Sequence, residues 1–346
     1  MSSVMCVTIT LDSGQDIHAV LKLYDRRFGV DLRDYRIHLP FTTEKEALFE
    51  SFVRRNAIGP FLTQLAQDQE RELIPIPPHH HLDDDNFEGS EKYEAALWKD
   101  CDDMFHCETM AYELLKDLQG AGVPRLLAAV RLVDTSSIIP SDLIDGPDAK
   151  YWDINGILLQ YIPGINLINL DSSSIDVREW PILVQRSVDL VHKINEYGVV
   201  MMDCSTRNMI VDQESHQPFV IDFAQCWFKH EMKMWEPSNE QDDEDELSEE
   251  KVAKNEEDEG KENEEKESEE KETKEKEDEE KKDKEKKDEE KEDEDSEIDL
   301  EDEYWYRVKS TDNPGAIGSV MRTRLQREKG VKIKVKFPDI YDRPLE

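Results

Sequence analysis

The sequence predicts an α+β chain of two unequal halves, interrupted by a long charged insert. Three observations predict it. Residues 4–11 and 19–24 are rich in β-branched and apolar side chains and flank the turn signal Asp12-Ser13-Gly14, which reads as an antiparallel strand pair. Apolar residues recur at helical spacing in several later segments. A shorter hairpin, Met209-Ile210-Val211 to Phe219-Val220-Ile221 about a polar turn, carries chemistry-bearing side chains at both ends.

Taken in order, the strand over 19–24 holds Lys22 among apolar neighbours. A lysine there either points to water from an edge strand or serves a purpose. Residues 43–67 read as a helix with Leu48, Phe52 and Val53 on one face. Pro75, Pro77 and Pro78 break the chain, and His79-His80-His81 with Asp83-Asp84-Asp85 reads as a solvated loop rather than a metal site. Residues 91–119 form the next helix, with Cys107, Ala111, Leu114 and Leu118 as its stripe, Glu108 at the stripe's edge, and Gly120 ending it. Strands follow over 126–133 and 157–161, the second closed by Pro163-Gly164. A helix over 181–197 ends at Gly198, and residues 199–202 lead into Asp203.

The formal net charge of −38 is concentrated, because residues 241–303 hold 37 acidic and 13 lysine side chains. That tract, from about 236 to 303, cannot bury a core. Acidic residues four before lysines, as in Glu267 and Lys271, support a lone helix weakly, so disorder and a fluctuating helix both stand. Ordinary composition returns at Tyr304-Trp305-Tyr306. A helix over 314–328 with Ile317, Val320, Met321 and Leu325 inward and a short strand over 331–335 complete the chain. No basic patch suited to phosphate backbones is present, which argues against nucleic acid. No apolar run reaches membrane-spanning length, and no secretory signal is visible. Five cysteines without metal-like spacing read as reduced thiols of a cytoplasmic or nuclear protein.

The chemistry sits around the second hairpin. Asp203 precedes Asn208 by five positions, and the hairpin brings Asn208 beside Asp222. Two oxygen ligands side by side, with another carboxylate on the preceding loop, suit Mg²⁺ and a phosphoryl acceptor. Taken singly, Asp203 could be a loop cap, Asn208 a turn residue and Asp222 a strand-end cap. Their joint spacing, with a strand lysine upstream, favours a site.

This order of strand lysine, helix glutamate, Asp-x4-Asn, hairpin and Asp222-Phe223 resembles the protein kinase-like superfamily. It is similar in particular to divergent fungal kinase-like proteins, with echoes of the aminoglycoside phosphotransferase and RIO branches. The resemblance covers residues 4 to about 230 and, more weakly, 304–340. It implies a bilobal fold with an N-terminally truncated small lobe over 1–164, a short C-lobe over 165–235 and 304–346, and the acidic insert between. It implies ATP and Mg²⁺ as cofactors. Lys22 would contact the α and β phosphates, Glu108 would hold Lys22, and Ile162 would offer backbone groups to adenine. Asp203 would deprotonate an acceptor hydroxyl, and Asn208 and Asp222 would hold Mg²⁺.

Departures from the family pattern bear on activity. A glycine-rich phosphate loop should precede the strand over 4–11 and is absent from this chain. Met201 stands in place of the family's histidine, Ser205 in place of a lysine, and Ala224 in place of the glycine after Asp-Phe. No Ala-Pro-Glu motif follows Asp222. Lys22 and Glu108 lie unusually far apart, so a helical insertion separates them, and Glu50 on it is a second candidate partner for Lys22. The expected function is transfer of the γ-phosphate of ATP to a protein or small-molecule hydroxyl. The alternatives are a pseudokinase scaffold and an acidic tract that binds basic protein partners such as histones.

Overall fold

The computed structural model describes residues 2–28, 41–69, 87–132, 148–232 and 300–339. The histidine and aspartate runs near residue 80 and nearly all of the acidic tract lie outside these residues. The chain divides into two compact units, Met1–Glu231 with Tyr306–Glu346, and Met232–Trp305. In the second unit the described residues are Met232 and 300–305.

The first unit is mixed α+β with antiparallel sheets. Strands β1 (Ser3–Thr10) and β2 (Asp16–Tyr24) form the predicted hairpin, in which Gly14 supplies the left-handed backbone of the turn at φ +79°. Strands β3 (Leu126–Leu132) and β4 (Ile154–Gln160) complete a four-stranded sheet in the order β1-β2-β4-β3. β2 is therefore interior, with Lys22 opposite Val4 on one side and Ile157 on the other. An edge lysine facing water is excluded.

Between β2 and β3 lies the helical insertion. The single helix expected over 43–67 is two, α1 (Thr43–Arg54) and α2 (Ile58–Gln69). The break falls at Asn56, which takes a left-handed φ of +54°, a conformation that no helix continues through. α1 buries Phe49, Phe52 and Val53, while Leu48 is only partly covered. The insertion is fastened to the sheet by Arg26, just past β2. Its buried guanidinium reaches Glu46 on α1 and Glu94, at 2.8 Å, on α3 (Phe87–Leu114), and it lies 3.8 Å from the Phe49 ring centre. Arg55 pairs likewise with the buried Glu91 of α3.

The remaining elements bury α3 from its other side. β5 (Gly164–Asn166), β7 (Met209–Asp212) and β8 (Pro218–Val220) make a three-stranded sheet that contains the second hairpin, with Met209 opposite Val220. α4 (Trp180–Glu196) turns Leu183, Val184, Val188, Val191 and Ile194 into the core and stops at Gly198, φ +80°. β6 (Val199–Met201) pairs with β9 (Cys226–Phe228). One hydrophobic core joins Tyr24, Tyr112, Leu115, Ile157, Met209 and Phe223 to Ile317, Met321 and Leu325. Those last three lie on α6 (Asn313–Lys329), which follows α5 (Leu300–Thr311).

Two C-terminal expectations are corrected. Val320 is 48% exposed rather than inward, because the buried face of α6 runs through 317, 321 and 325 at spacing four. Residues 331–335 form no strand; their alternation instead drops Ile333 into the core beside α6. No described helix is long and apolar enough to cross a membrane.

Asn313 joins α6 to the loop that carries Asp203. Its carbonyl accepts from the Met201 amide at 3.1 Å and its amide donates to the Met201 carbonyl at 2.7 Å, all in the interior. A side chain thereby completes the open side of β6 as a neighbouring strand would. Asn313→Ala leaves both Met201 groups without partners, and urea unfolding is expected to register a loss of about 1–3 kcal/mol.

Candidate functional site

Alternation along β2 places Val20, Lys22 and Tyr24 on one face. That face meets α3, whose inner stripe is Met104, Glu108, Ala111 and Tyr112, continued by Leu115 just past its end. Glu108 is thus at the centre of the buried face and fully enclosed, not at the stripe's edge. The sequence stripe pointed elsewhere because a carboxylate was not counted among residues that face inward.

The Lys22 ammonium pairs with Glu108 Oε2 and, at 2.7 Å, with Asp222 Oδ1. The structure therefore brings together three residues separated in sequence by 86 and 200 positions. Glu50, the other candidate partner of Lys22, pairs with Arg54 on its own helix at 2.8 Å. A residue not singled out from sequence, Tyr24, donates its hydroxyl to the same Glu108 oxygen that receives Lys22. Its signal was its position two residues after Lys22 in a strand. Glu108 Oε1 is buried with no hydrogen-bond partner among the described residues, so Lys22 and Tyr24 are the groups that hold this carboxylate.

Burial pushes the Lys22 pKa down, but the charges and hydrogen bonds of Glu108 and Asp222 together outweigh it and hold it above the usual lysine range. Burial, then the negative field of Glu108, pushes the Tyr24 hydroxyl well above the usual tyrosine range. Lys22 is charged and Tyr24 neutral at physiological pH.

Asp222 reaches this place through the second hairpin. The Ile221 amide donates to the Asn208 carbonyl at 2.9 Å, which sets the main chains of Asn208 and Ile221 side by side. Asp222 then takes φ +68°, rare for a non-glycine residue and characteristic of functional sites. Its side chain remains 33% exposed. Asn208 donates its amide to the Asp203 carbonyl oxygen at 2.9 Å and to the carboxylate at 3.2 Å. Its own side-chain oxygen is therefore the atom that can serve a cation. The Asp203 carboxylate receives the Arg207 guanidinium at 2.9 and 3.1 Å. Arg207 was also missed in sequence, although its spacing of four from Asp203 is the interval of side chains that meet across one turn.

A cleft of about 200 Å³ opens beside these groups. Val20 and Leu159 from the first sheet and Ile210 and Ile221 from the second hairpin form apolar walls, and Lys22, Glu108 and Asp222 form a charged end. Ile162 lines the same cleft beyond β4 and is nearly fully buried. Asp203 and Asn208 are not part of that wall. The described residues contain no cluster of three or more His, Cys, Asp or Glu side chains suited to a metal. One carboxylate and one carboxamide oxygen nevertheless fit Mg²⁺, which commonly takes one or two protein oxygens and completes its shell with water and phosphate.

No protein-family model matches the chain, and no curated protein matches it. Among solved structures, similarity is found to the bifunctional kinase-methyltransferase WbdD. A medium-resolution structure has 14% identity and a TM-score of 0.26, covering 41% of this chain and 26% of that one. A co-crystal with the kinase inhibitor LY294002 has 15% identity and a TM-score of 0.27, covering 62% and 30%. Monomeric WbdD has 11% identity and a TM-score of 0.27, covering 62% and 32%. The chain thus spans less than a third of the WbdD chains, and similarity of this size assigns no family.

The ion-pair geometry predicts two stability effects. Lys22→Met strands a buried carboxylate and is expected to cost about 3–5 kcal/mol in denaturant unfolding. Because the folded pKa of Lys22 is raised, its contribution is fully present below its unfolded value of about 10.4 and is lost as pH rises through the folded value. The difference between wild type and variant is therefore constant from pH 7 to about 9.5 and shrinks above that. Tyr24→Phe removes a hydrogen bond to a charged group and is expected to cost about 1.5–3 kcal/mol.

Proposed function

We propose that the chain is an ATP- and Mg²⁺-dependent phosphotransferase of the protein kinase-like superfamily, acting on a hydroxyl of a protein or small molecule. The observation that carries this reading is the buried Lys22 ammonium between Glu108 and Asp222 at the charged end of a cleft with apolar walls. A nucleotide has the same two ends. Apolar side chains facing one another from two sheets suit a flat base, and a fixed cation suits phosphate oxygens. Backbone groups near Ile162 would bind the base edge.

Phosphoryl transfer needs charge neutralisation and alignment more than covalent help. Lys22, held by Glu108, which Tyr24 in turn supports, would neutralise phosphate charge. Asp203 would orient the acceptor hydroxyl and take its proton, and Arg207 beside it would offset the charge that builds on the transferred group. Asp222 and Asn208 would hold Mg²⁺, which when bound draws negative charge off the phosphate oxygens. Occupation of that site would require Asp222 to exchange its contact with Lys22 for the cation.

The test is γ-phosphate release or transfer from ATP by purified full-length protein with Mg²⁺. Asp222→Asn is expected to lower the rate at least about 10²-fold. A rate unchanged in Asp222→Asn would remove the assignment. ATP-dependent thermal stabilisation with no transfer would instead identify a nucleotide-binding scaffold.

A further inference from the structure

Cys107 precedes Glu108 on α3, and Cys226 opens β9 four residues after Asp222. Nothing in the phosphotransferase reading uses either thiol. Both are partly buried, and they meet. Cys107 Sγ accepts from the Cys226 amide at 3.2 Å and lies 3.6 Å from the Cys226 carbonyl oxygen and 3.4 Å from that of Phe223. Of the other cysteines, Cys101 is buried, Cys204 is partly buried and Cys6 is exposed, and the structure contains no disulfide.

We propose that Cys107 and Cys226 form a reversible dithiol–disulfide site whose oxidant is a low-molecular-weight disulfide. An approach of Sγ to the partner's own main-chain amide leaves one side-chain length to bridge, which a disulfide spans without moving either element far. Cys107 is the attacking sulfur. Hydrogen bonding to Cys226 lowers its pKa against the effect of burial, whereas burial above all pushes the Cys226 thiol well up. The Cys107 thiolate attacks one sulfur of the small disulfide and expels the other as a thiolate, leaving a mixed disulfide. The Cys226 sulfur, losing its proton, then attacks Cys107 Sγ and expels the second small thiol. The protein loses two protons and two electrons, and the electrons reduce the small disulfide to two thiols.

The bond would join α3, one residue from Glu108, to the segment leaving Asp222. It would fix the two carboxylates that flank Lys22 relative to each other. The site stands apart from the phosphotransferase reading, because its chemistry involves no nucleotide.

The test is incubation of the folded full-length protein with oxidised glutathione, alkylation of remaining thiols, digestion without reduction and mass spectrometry. The expected result is a linked peptide pair joining 107 and 226, loss of the alkylated 107 and 226 peptides found after denaturing alkylation of the reduced protein, a raised thermal midpoint, and reversal of all three by dithiothreitol. Cys226→Ser should trap glutathione on Cys107, and Cys107→Ser should leave Cys226 unmodified. The wild-type measurement needs no variant to fold. Alkylated 107 and 226 peptides undiminished after oxidation, linkage through Cys6 alone, or a glutathione adduct persisting on wild-type Cys107 would each overturn the proposal.

Discussion

The structure depends on one buried cation. Lys22 leaves the middle of a central strand and is met by Glu108 from the long helix and Asp222 from the end of a distant hairpin. Interior charge is tolerated only when it is compensated nearby, so each of the three groups justifies the burial of the others. The arrangement gives the sheet, the helix and the hairpin a shared registration that apolar packing alone, being non-directional, does not impose. Tyr24 strengthens it by supplying a neutral donor to a carboxylate that would otherwise face Lys22 unsupported.

The helical insertion is fastened by the same device in a second place. Arg26, four residues after Lys22, is buried against Glu46 and Glu94 and stacked on Phe49. β2 and the turn after it thus direct one cation, Lys22, to the cleft and another, Arg26, to the inserted helices. This explains how 86 positions of separation between Lys22 and Glu108 leave their pairing intact. The inserted helices α1 and α2 meet α3 near Glu91, Glu94 and Ala95, more than three turns before Glu108.

Much of the fold was legible because its signals are local. Gly14, Gly198 and the polar turn at 212–217 mark chain reversals, and the alternation in β2 and helical spacing in α4 assign faces directly. The hairpin joining Asn208 to Asp222 was legible for the same reason. What was not legible required long-range information. The break at Asn56 is the exception, because its signals are local, an asparagine at the left-handed position and Gly59-Pro60 in the first turn of α2, but the apolar spacing runs on across it and hides them. The centrality of Glu108 follows from which cation it meets, and periodicity treats a carboxylate as an outward residue. Residues 331–335 have a strand's pattern but pair with no strand among the described residues, so alternation there became anchoring of Ile333 in the core with Val331 and Val335 packed against it. Tyr24 and Arg207 were within reach of simple spacing rules, yet their roles appear only once their partners are known.

The clasp of Asn313 on Met201 bears on how the molecule is made. A ribosome releases the sheet, the long helix and the Asp203 loop well before it releases α6, because the acidic tract is translated in between. At ordinary elongation rates of about 5–20 residues per second, several seconds separate the two. During that interval the Met201 amide and carbonyl at the end of β6 lack their Asn313 partner and the core lacks Ile317, Met321 and Leu325. The stretch that emerges next is strongly anionic, and like charge on such half-finished chains opposes their association while the core waits for α6.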